Sequence, residues 1–366
     1  MKFTILQQDL MPVLSSVSRS AGIRSQLPVL GNVLIQADSD RVKISATNLE
    51  IGVVKSVKAD VIEEGEITIP AKMLVDVISN LSGEKIEISA SDESVELTTP
   101  TFSSSLNGIS ATEFPNIPLS GKQAASIDPK LLVKALPEVI FSAAVDDGRP
   151  ILTGILTEIN NKKLQLVATD GYRLAHKSVV TESDSSFKAL VPRRTFEEVI
   201  RLIGEDESDE IKVAVSDDQN QIVFSFGNTQ LSSRLIEGQF PAWEKIIPTE
   251  IKVRIITDRS ELLKAVKLAS VFARGEANTV KLQNLDKKLV LTSETKELGS
   301  QKKEIDAECE GGEIQISFNT KYLQDSLSAF SSSQVIIELS GPLSASIFKP
   351  MGEEGLECIV MPVNLS

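Results

Sequence analysis

Apolar and polar residues alternate along most of this 366-residue chain, and the alternation is broken at intervals by stretches with apolar residues every three or four positions. A period of two marks strands with one buried face, and the three-to-four spacing marks amphipathic helices. The helical spacing predicts helices over 8–18, 129–141 and 259–271, each preceded by a short alternating strand at 2–6, 123–127 and 252–257. A second set, over 71–80, 193–203 and 320–330, follows strands that end in Pro70, Pro192 and Asn319. Proline at a helix entry and asparagine as a cap are ordinary start signals. Alternating runs such as 33–36, 40–46, 85–90 and 94–99 fill the rest. The acidic turns Ser91-Asp-Glu-Ser94 and Ser216-Asp-Asp-Gln219 suit hairpin connections.

The elements recur because the sequence does. Val42-Lys-Ile-Ser-Ala-Thr-Asn48, Leu164-Gln-Leu-Val-Ala-Thr-Asp170 and Leu289-Val-Leu-Thr-Ser-Glu-Thr295 share one outline. So do the strand-to-helix passages that begin at Ile67, Ala189 and Ile316. Phe114-Pro115 returns as Phe240-Pro241 and, more loosely, as Met361-Pro362. Three markers at a common spacing imply three diverged repeats. Polar, turn-like stretches at Gly121-Lys122 and Pro248-Thr249-Glu250 place the boundaries, giving domains 1–121, 122–249 and 250–366. Two helices and about eight strands per repeat give an α+β fold, antiparallel sheets on one side and helices on the other.

Charge changes the picture. Lys plus Arg number 38 against 51 Asp plus Glu, a net charge of −13, which argues against a protein that grips nucleic acid over its whole surface or binds a membrane through basic clusters. The six helical windows are nevertheless net positive together, so the remainder is more acidic than the whole. A basic helical lining inside an acidic shell would tolerate a phosphate backbone within and repel it elsewhere. With helices roughly 8–10 Å apart, six in a circle leave a hole about 17 Å across, too narrow for a duplex of roughly 20 Å. Twelve leave about 34 Å, so two chains could encircle DNA where one could not.

Catalytic chemistry fails on inventory. There is no G-x-x-x-x-G-K-[ST] or G-x-G-x-x-G loop, and one histidine, His176. With only two cysteines, Cys309 and Cys358, a disulfide framework is excluded and a reducing, cytoplasmic setting is suggested, and neither has histidine partners for a metal. No signal peptide or membrane-spanning run is expected. Asp146-Asp147 and Asp217-Asp218 read as solvated turn acids rather than a metal site, and no cofactor is expected. The competing readings are an enzyme with its active site in an inter-domain cleft and a monomeric scaffold that never meets DNA.

Met1-Lys-Phe-Thr, Leu27-Pro-Val-Leu-Gly-Asn32, Ala168-Thr-Asp-Gly-Tyr-Arg-Leu174 and Val360-Met-Pro-Val-Asn-Leu365 resemble, in order and over the whole chain, the bacterial DNA polymerase III β subunits, the sliding clamps. The resemblance implies a ring-shaped head-to-tail homodimer of six similar domains. Such a ring encircles double-stranded DNA without sequence preference, is loaded by an ATP-dependent clamp loader and tethers polymerases, with no catalytic residue of its own.

The resemblance also implies sites. A pocket for short linear motifs of polymerase and clamp-loader subunits would take Leu152, Thr169, Gly171, Tyr172, Arg173 and Leu174 from the second repeat, followed by Pro241, Lys245 and Ile246. Leu343 and Ala345 would join from the third repeat, and Ile359, Val360, Met361, Pro362, Val363, Asn364 and Leu365 would close it. Tyr172 and Asn364 stand where His and Arg are frequent in the family. Arg24 and Lys72 match DNA-facing positions, and Arg149, with Pro150 and Ile151, sits on a loop that reaches DNA. Arg193, Arg194, Lys264, Lys267 and Lys321 would line the hole by helix position. The ring interface would use Phe102 against Val271 and Phe272, with Arg274 near for a charge pair.

Overall fold

The computed structural model describes residues 1–22, 27–146, 148–206, 208–273, 278–295 and 299–364. Among the described residues it has seven α-helices: α1 (Gln7–Ser18), α2 (Ala71–Ser79), α3 (Pro129–Ala135), α4 (Pro137–Ile140), α5 (Arg193–Ile203), α6 (Arg259–Phe272) and α7 (Thr320–Ala329). The single helix expected over 129–141 is two, because Pro137 supplies no N–H to the ladder and its ring crowds the preceding turn. Caps fix the helices of the last repeat. Asp258 accepts from the backbone N–H of Glu261 at 2.8 Å, and Asn319 accepts from that of Lys321 at 2.9 Å. Each such cap contributes about 1 kcal/mol.

The chain forms two compact units, Met1–Pro129 with Arg194–Leu235, and Lys130–Arg193 with Ile236–Ser366. They cut across the second repeat: its outer hairpins build with the first repeat and its inner strands with the third. The reason lies in the sheets, all of whose pairings are antiparallel.

The first unit holds a five-stranded sheet that ends on the strand Ser103–Asn107, and an eight-stranded sheet. In the latter, strand Thr229–Arg234 adds to strand Ile51–Lys58, Thr229 opposite Lys55 and Leu231 opposite Val53. Helices α1, α2 and most of α5 pack here. Leu10, Leu14, Leu74 and Phe196 point inward and are at most 1% exposed. Full burial of such side chains stabilises by roughly 1.5–3 kcal/mol each, which is what holds short, weakly capped helices in place.

The second unit is built on one twelve-stranded sheet. Its joint is strand Leu356–Val360 adding to strand Arg173–Val180, Leu356 opposite Lys177 and Cys358 opposite Ala175. The strand nearest the C-terminus is therefore central, and Cys358, Ile359 and Val360 are at most 1% exposed. Below the sheet, Lys177 reaches Glu138 of α4 at 2.6 Å, both nearly buried, and this pair anchors the short helix. Helices α6 and α7 pack against each other and on the strands of the third repeat.

Candidate functional site

The turn Thr169–Arg173 is shaped by its own side chains. Asp170 Oδ1 accepts the backbone N–H groups of Tyr172 and Arg173 at 2.9 and 3.0 Å, and Thr169 Oγ1 accepts that of Gly171 at 3.0 Å. Gly171 adopts φ +92°, and a Cβ there would lie 2.7 Å from the Arg149 guanidinium, so the position requires glycine. The turn lifts Tyr172 into solvent, 58% exposed, and drives Arg173 inward.

Buried Arg173 is fully engaged. Its guanidinium meets Asp170 Oδ2 at 3.0 Å, Asp325 Oδ2 at 2.6 Å and the Phe141 carbonyl at 2.7 Å. It also lies 4.7 Å from the Tyr322 ring centroid. One planar fork thereby ties the turn to α7 and to the residue after α4, which a lysine's single ammonium could not do. Burial and the Asp170 carboxylate push the Tyr322 hydroxyl pKa up.

Beside the turn lies an apolar floor of Leu156, Val167, Leu174, Leu190, Trp243, Ala345 and Ile359, with Ile151, Ile236, Phe240 and Ile247 packed against it. Close in sequence to these residues are four exposed apolar side chains, Tyr172, Ile246, Leu343 and Met361. Met361 N–H donates to the Tyr172 carbonyl at 2.9 Å and Val363 N–H to the Ser317 carbonyl at 2.8 Å, so the tail is held along the turn. Buried and exposed apolar side chains thus collect around the turn and the tail, the kind of lining that an extended peptide with aliphatic or aromatic anchors can use. Of the residues expected here, Leu174, Ala345 and Ile359 belong to the buried cluster, and Tyr172, Ile246, Leu343 and Met361 are exposed. Leu152 is buried nearby, Thr169, Gly171 and Arg173 shape the turn, and Val360 is buried in its strand. Pro241, Lys245 and Asn364 are exposed, Pro362 and Val363 half-buried, and Leu365 lies outside the described residues.

Sequence reasoning missed Trp243, the chain's one tryptophan, whose only signal is its place two residues after the Phe240-Pro241 marker. Trp243 packs on His176, ring centroids 4.5 Å apart. His176 Nδ1 faces Glu357 at 3.9 Å, and Lys349 reaches the same carboxylate at 3.1 Å. His176 and Lys349, against the cost of burial, hold the Glu357 carboxyl down at about 2.

Two residues expected on a DNA-facing loop have partners within the chain. Ile151 packs on the apolar floor, and Arg149 donates to the Asp170 carbonyl at 2.8 Å and lies over Tyr172. The 3-10 turn Pro150–Thr153, started by Pro150, follows Arg149, which stays exposed. Lys72, Arg194, Lys264, Lys267 and Lys321 are exposed on their helices, and Arg193 is half-buried at the start of α5. Phe102 and Val271 are exposed, Phe272 half-buried, and Arg24 and Arg274 lie outside the described residues. Asp218 accepts hydrogen bonds from Ser216 and Asn220, and Asp146 from Gly148; Asp147 lies outside the described residues. Among the described residues no group of three His, Cys, Asp or Glu is placed to hold a metal, and no helix is long and apolar enough to cross a membrane.

Comparison with known proteins agrees with this architecture. Family models of the DNA polymerase III beta subunit match in chain order: the N-terminal domain over residues 1–118, the central domain over 126–242 and the C-terminal domain over 244–364. The Beta sliding clamp of Synechococcus elongatus is 32% identical, and that of Synechocystis 33%, each over all of both chains. The crystal structure of the DNA polymerase III subunit beta from Pseudomonas aeruginosa superposes with a TM-score of 0.95 at 29% identity, again over the full length of both. With its three domains matched in order and its length covered from end to end, the chain belongs to the DNA polymerase III beta subunit family, the beta sliding clamps.

Proposed function

We propose that two copies of this chain close head to tail into a ring around duplex DNA. The ring is a processivity factor, not an enzyme: an ATP-dependent clamp loader opens it onto DNA, and it then tethers polymerases through their short linear motifs. The domains of this reading are 1–121, 122–249 and 250–366, and Lys72, Arg193, Arg194, Lys264, Lys267 and Lys321 face the phosphates. Phe102 of one protomer packs against Val271 and Phe272 of its partner. The ring works in the cytoplasm, in keeping with two free thiols.

The observation that carries this reading is the apolar cluster around Trp243, beside a turn and tail that expose Tyr172, Ile246, Leu343 and Met361. A tether needs an apolar surface that any of several partners can fill with one or two anchors. Calorimetry with a polymerase-derived peptide tests it. Micromolar affinity, about −8 kcal/mol, is expected. Removal of residues 361–366 should abolish it while leaving the fold intact; unchanged affinity after that truncation would place the partner site elsewhere.

A further inference from the structure

Three ladders run through the sheets at equivalent places. In the first unit, Ala125, Val213, Phe224, Leu231, Val53 and Ala46 stand opposite one another strand by strand. In the second unit the same places are Ile255, Ile337, Phe348, Cys358, Ala175 and Ala168. Every side chain in these two ladders is at most 2% exposed. The joint between repeats falls at the same rung in both, Leu231 against Val53 and Cys358 against Ala175. The register is thus a property of the repeat.

The third ladder exists only as two ends. Phe3, Ile88, Leu97 and Ser104 run to the strand Ser103–Asn107, which among the described residues pairs on one side only. Ser293 and Gln301 occupy the other end, on the strand Gly299–Gly311, whose first half pairs only with Lys288–Thr295 among the described residues. The two residues that would meet at the joint are both polar. Ser104 Oγ, Gln301 Oε1 and Gln301 Nε2 are all sequestered from solvent, and none has a hydrogen-bond partner among the described residues. An orphaned polar atom is costly, and here the orphans sit on two open strand edges at matching rungs.

We propose that a second copy of this chain completes the third ladder, Ser104 of one protomer hydrogen-bonding Gln301 of its partner. This buried polar pair then selects the register of the seam. The proposal rests on the dimer reading above and adds to it which residues meet. The Ser104 hydroxyl both donates and accepts, and the Gln301 amide offers both complements. In the chain's two internal joints this place is apolar, so the polar pair distinguishes copy-to-copy joining from any mispairing with an internal strand edge. A second position agrees. Two residues along, Lys55 stands opposite Thr229 and Lys177 opposite Leu356, both lysines buried and ion-paired. The third lysine, Lys303, is exposed, and the same register sets it opposite the exposed Phe102 of the partner.

Sedimentation of the full chain, with cysteine pairing as a second readout, tests the proposal. Ser104→Val strands the partner's amide and should raise the dimer dissociation constant about tenfold or more, while Ser104→Val with Gln301→Leu should recover most of the loss. In a Cys309→Ser background, Ser104→Cys with Gln301→Cys should cross-link two chains under mild oxidation, and Ser104→Cys with Lys303→Cys should not. A dimer indifferent to Ser104→Val, or one that cross-links preferentially through the 104–303 pair, overturns this register and leaves the dimer standing. A wild-type chain that stays monomeric at every concentration overturns the dimer and the register together.

Discussion

Trp243 lies against His176, ring centroids 4.5 Å apart, and so links the floor of the pocket to the ionic row of Glu357, Lys349 and Glu338 on the neighbouring strands. The floor is thereby held from beneath by charge as well as by packing.

Trp243 should report on the pocket directly. As the chain's one tryptophan, it gives a fluorescence signal that shifts when a polymerase-derived peptide binds. Trp243→Phe should keep the fold and weaken the peptide at least tenfold, because a smaller ring leaves the floor underfilled. Equal affinity in a fluorescence-anisotropy titration would remove Trp243 from the site.

Arg173 and Asp325 join the pocket turn to α7 at 2.6 Å. Asp325→Ala should leave part of a buried guanidinium unpaired and cost on the order of 2 kcal/mol, read as a lower denaturant midpoint. Arg173→Lys should lose a similar amount despite keeping the charge, since only the planar fork reaches Asp170, Asp325 and the Phe141 carbonyl together. A wild-type midpoint for Arg173→Lys would show that charge alone suffices.

Acid should unfold the second unit through Glu357. Its carboxyl lies at about 2 in the folded chain against an ordinary 4.5. The stability it supplies is present above pH 4.5 and is lost as the pH falls from there toward 2. Glu357→Gln should flatten that part of the profile in melts across this range. A variant profile that parallels wild type would assign the acid sensitivity to other carboxylates.

The thiols should differ sharply. Cys358 is fully buried and its thiol is pushed up to about 12 by burial, while half-buried Cys309 is raised by burial to a lesser extent. Alkylation of the native protein at pH 8 should modify Cys309 slowly and Cys358 only after denaturation, since the thiolate is the reactive form. Mass spectrometry of the native, alkylated chain checks this; rapid labelling of Cys358 would mean that its strand opens.

Much of this fold was legible in the chain because repetition tests every reading three times. The bounds of α5 match the spacing of its apolar residues, and the remaining long helices differ by a residue or so. Pro137 was the visible signal for the break in the 129–141 segment, yet the apolar period continues across it, and period alone cannot register a missing N–H. The pocket was legible only as a motif around Thr169–Leu174 and as a tail. Its floor comes from strands and a 3-10 turn far apart in sequence, so neither Trp243 nor the turning of Ile151 toward it has a local signature. The joints between repeats were hidden for the same reason: strand order is a long-range property, and the first unit borrows its outer strands from beyond residue 194.

Retention on DNA tests the central claim most directly. The purified chain, loaded onto nicked circular DNA by a clamp loader with ATP, should stay bound through gel filtration at moderate salt and be released when the circle is cut once. A ring leaves only by sliding off an end or opening a seam, and a net −13 protein grips phosphate weakly. Equal retention on circular and linearised DNA, or tight binding to a short linear duplex, would contradict encirclement.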